Sequence, residues 1–367
     1  MLKPSLDWLL VCVPSLIVLE FVAPQAHTAI FLLACAAVIP LAGWMGRATE
    51  HLAERTSEGV GGFLNATFGN AAELIIALTA LREGLTGVVK ASLTGSIIGN
   101  VLLVLGMSLL AGGLRRETQR FNVAGARIQA TMLLLAAIAL IAPASYHHLA
   151  GPAGRAREDD LSVEISLVLV VLYVLSLVFS LRTHRQLFSG HSAEAADVED
   201  GRAHRTWSLR RSLAVLGGAT VLVAWVSEIL VGSIEPAARA LGMTDVFVGV
   251  VVVAIVGNAA EHSTAVLVAL KDRMDLAIGI AVGSSIQVAL FVAPVLVLAS
   301  YVVGPKPMDL VFTPAEVLAV VMSALITSQI AGDGESNWLE GVQLIAVYVI
   351  LALMFYFLPP SALAVPT

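Results

Sequence analysis

One five-residue run is written twice in this chain, as Gly69-Asn70-Ala71-Ala72-Glu73 and again as Gly257-Asn258-Ala259-Ala260-Glu261. The copies lie 188 residues apart, and Gly95-Ser96 and Gly283-Ser284 keep the same offset without a gap. Gly61 with Gly249, Ala77 with Ala265 and Ile98 with Ile286 fall on it as well. A chance repeat of five residues would not carry the downstream Gly-Ser in register, so the chain reads as an internal duplication. Both copies sit in apolar sequence, the second copy five apolar stretches on from the first, an odd step. If each stretch crosses a membrane, the two copies cross in opposite directions.

Composition makes that condition hold. The 367 residues are 58% hydrophobic and only 13% charged, about half the charge of an ordinary soluble domain. Eleven apolar segments reach the roughly 20 residues that a helix needs to span a bilayer. They run about 5–23, 27–46, 59–82, 86–113, 127–149, 162–182, 209–232, 244–270, 275–303, 314–331 and 338–358. The first has one basic residue, Lys3, and too long an apolar core for a signal peptide. Cys12 and Cys35 both lie inside apolar runs, which argues for buried thiols rather than a disulfide framework.

The basic residues test the count. With the N-terminus cytoplasmic, alternate loops on the inner side hold 15 of the 21 Lys and Arg, Arg115, Arg116, Arg120, Arg210 and Arg211 among them. The other side holds Arg82, Lys90, Arg155, Arg157, Arg239 and Lys306. This is the positive-inside bias, and it places the C-terminus outside. The expected fold is an all-α polytopic membrane protein of about 11 transmembrane helices. Residues 1–26 form an extra first helix, 27–182 a five-helix repeat, 183–208 a cytoplasmic linker, and 209–358 a second repeat of inverted topology. Inverted repeats with polar, glycine-bearing helices meeting near the midplane are the architecture of secondary transporters.

The candidate site follows from spacing. Glu73 and Glu261 are intramembrane carboxylates, which are costly and therefore functional by default. Asn70 lies three residues before Glu73 and Asn258 three before Glu261, so each amide shares a helix face with its carboxylate. The hydroxyls of Ser96 and Ser284, and backbone carbonyls near the glycines, complete an all-oxygen set with two negative charges. Such a set suits a hard divalent cation, Ca²⁺ foremost, and no cysteine–histidine cluster points to a softer metal. The glycines also serve as packing notches. His262 follows Glu261 where the first copy has Leu74. Adjacent residues point about 100° apart on a helix, which makes His262 a gating or supporting group, or simply a hydrogen-bonded buried imidazole. Asn100 and Gln287, one turn past the Gly-Ser motifs, are auxiliary ligands or helix–helix contacts.

These residues resemble the CAX branch of the calcium/cation antiporters. Leu52-Ala53-Glu54-Arg55-Thr56 and Gly61 through Ile75 resemble its first signature. Gly257 through His262, Met274 through Gly279 and Gly283 through Gln287 resemble the second. Gly332-Asp333-Gly334-Glu335-Ser336-Asn337-Trp338-Leu339-Glu340-Gly341 is similar to the loop before the family's last helix. The likeness spans about residues 30–358. It implies a Ca²⁺/H⁺ exchanger with an extra first helix, in which Glu73 and Glu261 match the ion-binding carboxylates. The acidic stretch that family members carry between the halves is sparse here, with Glu194, Asp197, Glu199 and Asp200 interleaved with His184, His191 and His204, and reads as a solvated linker.

Other classes fit less well. An exchanger driven by Na⁺ or K⁺ would share the inverted Glu pair; His262 and Gln287 favour the proton-coupled branch by resemblance. An intramembrane enzyme could use Glu73, Glu261 and His262 as acid and base, although duplication places the carboxylates symmetrically where acid–base chemistry wants unlike groups. A channel would lack saturable, proton-coupled uptake. No Walker lysine follows a strand, so neither nucleotide nor nucleic acid is an expected partner. The expected partners are Ca²⁺ and H⁺ as transported ions and the lipid bilayer, with homo-oligomers possible and no cofactor. The expected location is a bacterial plasma membrane.

Overall fold

Eleven helices are seen in the computed structural model, which describes residues 6–56, 61, 64, 67–187 and 207–359. They are α1 (Cys12–Val22), α2 (His27–Ala53), α3 (Ala71–Arg82), α4 (Thr86–Gly113), α5 (Val123–Leu149), α6 (Glu158–Thr183), α7 (Leu209–Leu241), α8 (Asp245–Leu270), α9 (Met274–Ser300), α10 (Pro314–Ile330) and α11 (Trp338–Phe357). Most of the linker, with Glu194, Asp197, Glu199, Asp200, His191 and His204, lies outside the described residues.

Eight of these helices are long and apolar enough to cross a membrane: α2, α4 to α9 and α11. The expectation of about 20 residues in all eleven is corrected at three places. α10 has 17 residues and α3 has 12, because a turn at Gly69-Asn70 interrupts the helix just before it. α1 has 11 residues and continues a 3₁₀ turn over Leu6–Val11. α7 runs nine residues past its expected end at 232, to 33 residues or about 50 Å, and stops at Gly242, whose φ of 69° gives the left-handed cap.

The duplication is visible in the element boundaries. α3 ends at Arg82 and α8 at Leu270, while α4 begins at Thr86 and α9 at Met274, so both pairs keep the 188-residue offset. The first long helices of the two repeats, α2 and α7, pack along each other. Each of α4 and α9 carries a π-helical stretch just past its Gly-Ser motif, at Gly99–Val104 and Val288–Val292. α8 has another at Val248–Val253. Such stretches loosen the regular ladder and mark functional positions more often than ordinary packing.

α4 and α8 meet without room for side chains. A methyl group on Gly95 would overlap the carbonyl of Val250, and one on Gly249 would fall 2.8 Å from the Ala91 Cβ. Glycine is therefore obligatory at this crossing, as close helix packing in lipid requires.

Connections on each side clamp the opposite repeat. The α4–α5 connection lies over the joined ends of α8 and α9: Gln119 Nε2 donates to Ala269 O at 3.3 Å, Arg116 pairs with Asp272 at 3.3 Å, and the Asn122 amide donates to Asp275 at 2.6 Å. Gln119 and Arg120 also pair as a two-residue antiparallel strand with Ser336 and Glu335. The α9–α10 connection does the same at the joined ends of α3 and α4. There Gly304 lies against the Leu81 carbonyl, and Lys90 Nζ donates to Asp309 at 2.6 Å and to Val311 O at 2.8 Å. These contacts join only connections that eleven crossings place on the same side, so an odd number of crossings between the duplicated motifs is consistent with every one of them.

Candidate cation site

The duplicated motifs converge where α3, α4, α8 and α9 cross. Asn70 immediately precedes α3 and makes no capping bond to it. Its amide is directed across to the other repeat instead: Nδ2 donates to Gln287 Oε1 at 2.6 Å, and Oδ1 accepts from the Ser284 hydroxyl at 3.2 Å. Asn258, in mid-α8, mirrors this. Its Nδ2 donates to Ser96 Oγ and to the Ala254 carbonyl, both at 3.0 Å. The asparagine of each repeat thus bonds the serine of the other.

Glu73 and Glu261 lie inside this frame. Glu73 is 9% exposed and Glu261 is half-buried. The Glu73 side chain rests on Gly257: a Cβ there would stand 3.0 Å from Glu73 Cγ and 3.6 Å from Cδ. The first repeat's carboxylate is therefore seated on the glycine that opens the second repeat's motif. Glu261 is close enough for its charge to act on Glu73, and Ser284 lies within hydrogen-bonding reach of Glu261. Among the described residues, Glu73 Oε1 and Glu261 Oε2 are buried oxygens without a hydrogen-bond partner. An unsatisfied buried acceptor costs about 1–3 kcal/mol, more when charged. Two such oxygens in one cluster call for a cation or protons to satisfy them.

The second repeat adds a polar chain absent from the first. His262 Nε2 lies 3.1 Å from Asn100 Oδ1. An amide oxygen only accepts, so Nε2 carries the proton and donates. Asn100 Nδ2 in turn reaches Asn258 Oδ1 at 3.5 Å. Ser285 ties α9 to α4 through the Ile97 carbonyl at 3.1 Å.

All nine residues singled out from the sequence, Glu73, Glu261, Asn70, Asn258, Ser96, Ser284, His262, Asn100 and Gln287, fall in this one cluster. The expected shared helix face is corrected for Asn70, which lies in the turn before α3; both asparagines bond across to the opposite repeat, Asn258 also to the Ala254 carbonyl of its own helix, and among the described residues neither bonds a glutamate. Sequence reasoning treated Gly257 as a packing notch with backbone carbonyls nearby to join the site, and anticipated neither Glu73 resting on it nor Asn258 bonding the Ala254 carbonyl. The glycine's place in the repeat was a signal; backbone carbonyl acceptors leave none.

Known proteins resemble this chain along most of its length. The family model for the sodium/calcium exchanger protein matches residues 26–182 and 211–357. A Ca²⁺/H⁺ antiporter of Aphanothece halophytica is 47% identical over 341 residues, covering 91% of both chains. The Ca²⁺/H⁺ antiporter ChaA of Bacillus subtilis is 46% identical over 330 residues, covering 90% of this chain and 92% of its own. The structure of native YfkE superposes with a TM-score of 0.82 at 41% identity, covering 96% of this chain and 100% of that one.

Proposed function

This chain belongs to the sodium/calcium exchanger family, in its CAX branch, and on that basis we propose that it exchanges Ca²⁺ for H⁺ across a membrane, with Glu73 and Glu261 holding the ion in turn with protons. The observation that carries the reading is the pair of unpartnered buried oxygens, Glu73 Oε1 and Glu261 Oε2, brought together by inverted copies of one motif.

The chemistry needs no further cofactor. Two carboxylates in a medium of low dielectric resist carrying charge together, and a divalent cation or a pair of protons relieves that resistance. Ca²⁺ takes six to eight oxygens at about 2.3–2.6 Å. The carboxylates of Glu73 and Glu261, the amide oxygens of Asn70 and Asn258 and the hydroxyls of Ser96 and Ser284 are the donors within reach. Protons compete for the same carboxylates. Coupled exchange then requires only that the empty, doubly charged site seldom changes the side it faces.

Inversion of the repeats supplies the two faces. On α9, Gly279, Gly283 and Gln287 keep partial exposure along one stripe, whereas their α4 counterparts Ala91, Gly95 and Gly99 are buried. This asymmetry supports access from the side of the α8–α9 connection. The distribution of Lys and Arg makes that side cytoplasmic, with the N-terminus inside and the C-terminus outside, in a bacterial plasma membrane. Exchange in that orientation exports Ca²⁺ at the expense of the proton gradient.

Purified protein in liposomes tests the reading. Imposing a pH gradient should drive accumulation of radioactive Ca²⁺, and a protonophore should abolish it. Uptake that ignores the pH gradient but follows an imposed Na⁺ gradient would move the chain to the sodium-coupled reading.

A further inference from the structure

The two site asparagines are related by the duplication, yet the groups around them are not. Among the described residues, Asn70 Oδ1 accepts only from the Ser284 hydroxyl, a rotor that can swing away at little cost. Asn258 Oδ1 faces the amide nitrogen of Asn100, and that amide is itself fixed, because His262 donates to its oxygen. With Asn100 Oδ1 claimed by His262, Asn100 Nδ2 has to point at Asn258. The nitrogen of Asn258 is engaged at the same time by Ser96 and the Ala254 carbonyl. All four side chains are buried, with Asn100 and Asn258 each only 1% exposed. At the duplicated positions the first repeat has Leu74 in place of His262, and the second has Val288 in place of Asn100. The hold therefore exists on one asparagine alone.

We infer that Asn100 is a positioning residue, which, held by His262, keeps the Asn258 amide oxygen away from the cation, so that Asn70 is the standing amide ligand and Asn258 a conditional one. The inference rests on the exchanger reading above and adds to it a device that weakens binding. An ion that gains the Asn258 oxygen has to displace the Asn100 amide. At 3.5 Å the contact is at the long limit of a hydrogen bond, which makes it a hold that an ion can release. An exchanger needs such a limit, since a site that grips with every oxygen on entry releases slowly on the far side.

The consequence is a gain of affinity on mutation, which a merely structural role would not produce. Asn100→Ala frees Asn258 Oδ1, and the half-saturating Ca²⁺ concentration for uptake should fall about fivefold, the scale of one net hydrogen bond, while maximal turnover drops. His262→Met removes the donor that fixes Asn100 and should shift half-saturation in the same direction. His262→Gln keeps an N–H donor and should return it towards wild type. The double variant should show no more than the larger single effect, because the two residues act as one unit.

The assay is pH-gradient-driven Ca²⁺ uptake by full-length protein in liposomes, with folded amounts checked by monodisperse elution. Unchanged or raised half-saturation in both Asn100→Ala and His262→Met would overturn the inference; if Asn100→Ala fails to fold, His262→Met decides alone. Wild-type protein that takes up no Ca²⁺ would instead remove the exchanger reading and this inference with it, an outcome distinct from an active wild type with unshifted variants.

Discussion

Adding one methyl group at Gly257 perturbs the candidate site without touching a charge. A Cβ at this position would stand 3.0 Å from Glu73 Cγ and 3.6 Å from Cδ, whereas carbon atoms prefer about 3.5–4.0 Å. Glu73 therefore has to retreat by about 0.5–1 Å. Its side chain can do so by rotating, and the fold should survive at a cost of about 1–3 kcal/mol. The ion cannot follow as easily. Oxygen–Ca²⁺ contacts fall within a window of about 0.3 Å, so a carboxylate displaced by more than that leaves the coordination sphere. We expect Gly257→Ala to elute as folded protein and to raise half-saturating Ca²⁺ by about tenfold or more. Gly46→Ala is the control, since nothing lies within 4 Å of a Cβ there; its half-saturation should match wild type. Ca²⁺ uptake titrated in liposomes reads both. Wild-type half-saturation in Gly257→Ala would refute the seating of Glu73 on Gly257 as a requirement of the site.

Other perturbations separate site from scaffold. Glu73→Gln and Glu261→Gln should each reduce uptake to background while leaving the protein folded in the membrane, because the amide keeps shape and removes charge; transport measured on purified protein checks this. Apparent Ca²⁺ affinity should fall as pH drops from about 8.5 to 6 on the loading side, since protons take the carboxylates that the cation needs; a flat titration would place proton coupling elsewhere. Gly95→Ala should prevent stable folding, because the methyl group would overlap the Val250 backbone, and little protein should survive extraction. Lys90→Met should lower the melting temperature in detergent, since it leaves Asp309 without the ammonium that now bonds it at 2.6 Å; with the Asp309 side chain 32% exposed, the loss should fall below the about 3–5 kcal/mol of breaking a fully buried pair.

Much of the architecture was legible because membrane helices announce themselves by length and apolarity, and because duplication is a pattern of identities. The spans 86–113 and 338–358 were placed to within a residue of α4 and α11. The nine candidate residues were legible for a related reason: a polar group in an apolar segment is conspicuous. Their partners were not. Asn70 stands three residues before Glu73, yet it lies in the turn ahead of α3 and bonds Gln287, 217 positions away in the chain, and no local spacing rule reaches that far. The π-helical stretches at Gly99–Val104 and Val288–Val292 carry no composition of their own, since they arise where a packed helix absorbs an extra residue. Lys90 looked like one of six charges on the outer side. Its burial beside Asp309 depends on the fold of the α9–α10 connection, which the sequence before α10 does not reveal.

Inverted copies of one motif should build one cation site from both of their glutamates. Equilibrium Ca²⁺ binding to the purified protein at about pH 8 measures it directly. One ion per chain for the wild type, with binding weakened at least a hundredfold by Glu73→Gln and by Glu261→Gln separately, is the predicted result. Two ions per chain, or a single glutamine variant that still binds one ion with wild-type affinity, would mean that the glutamates serve separate sites and would contradict the account.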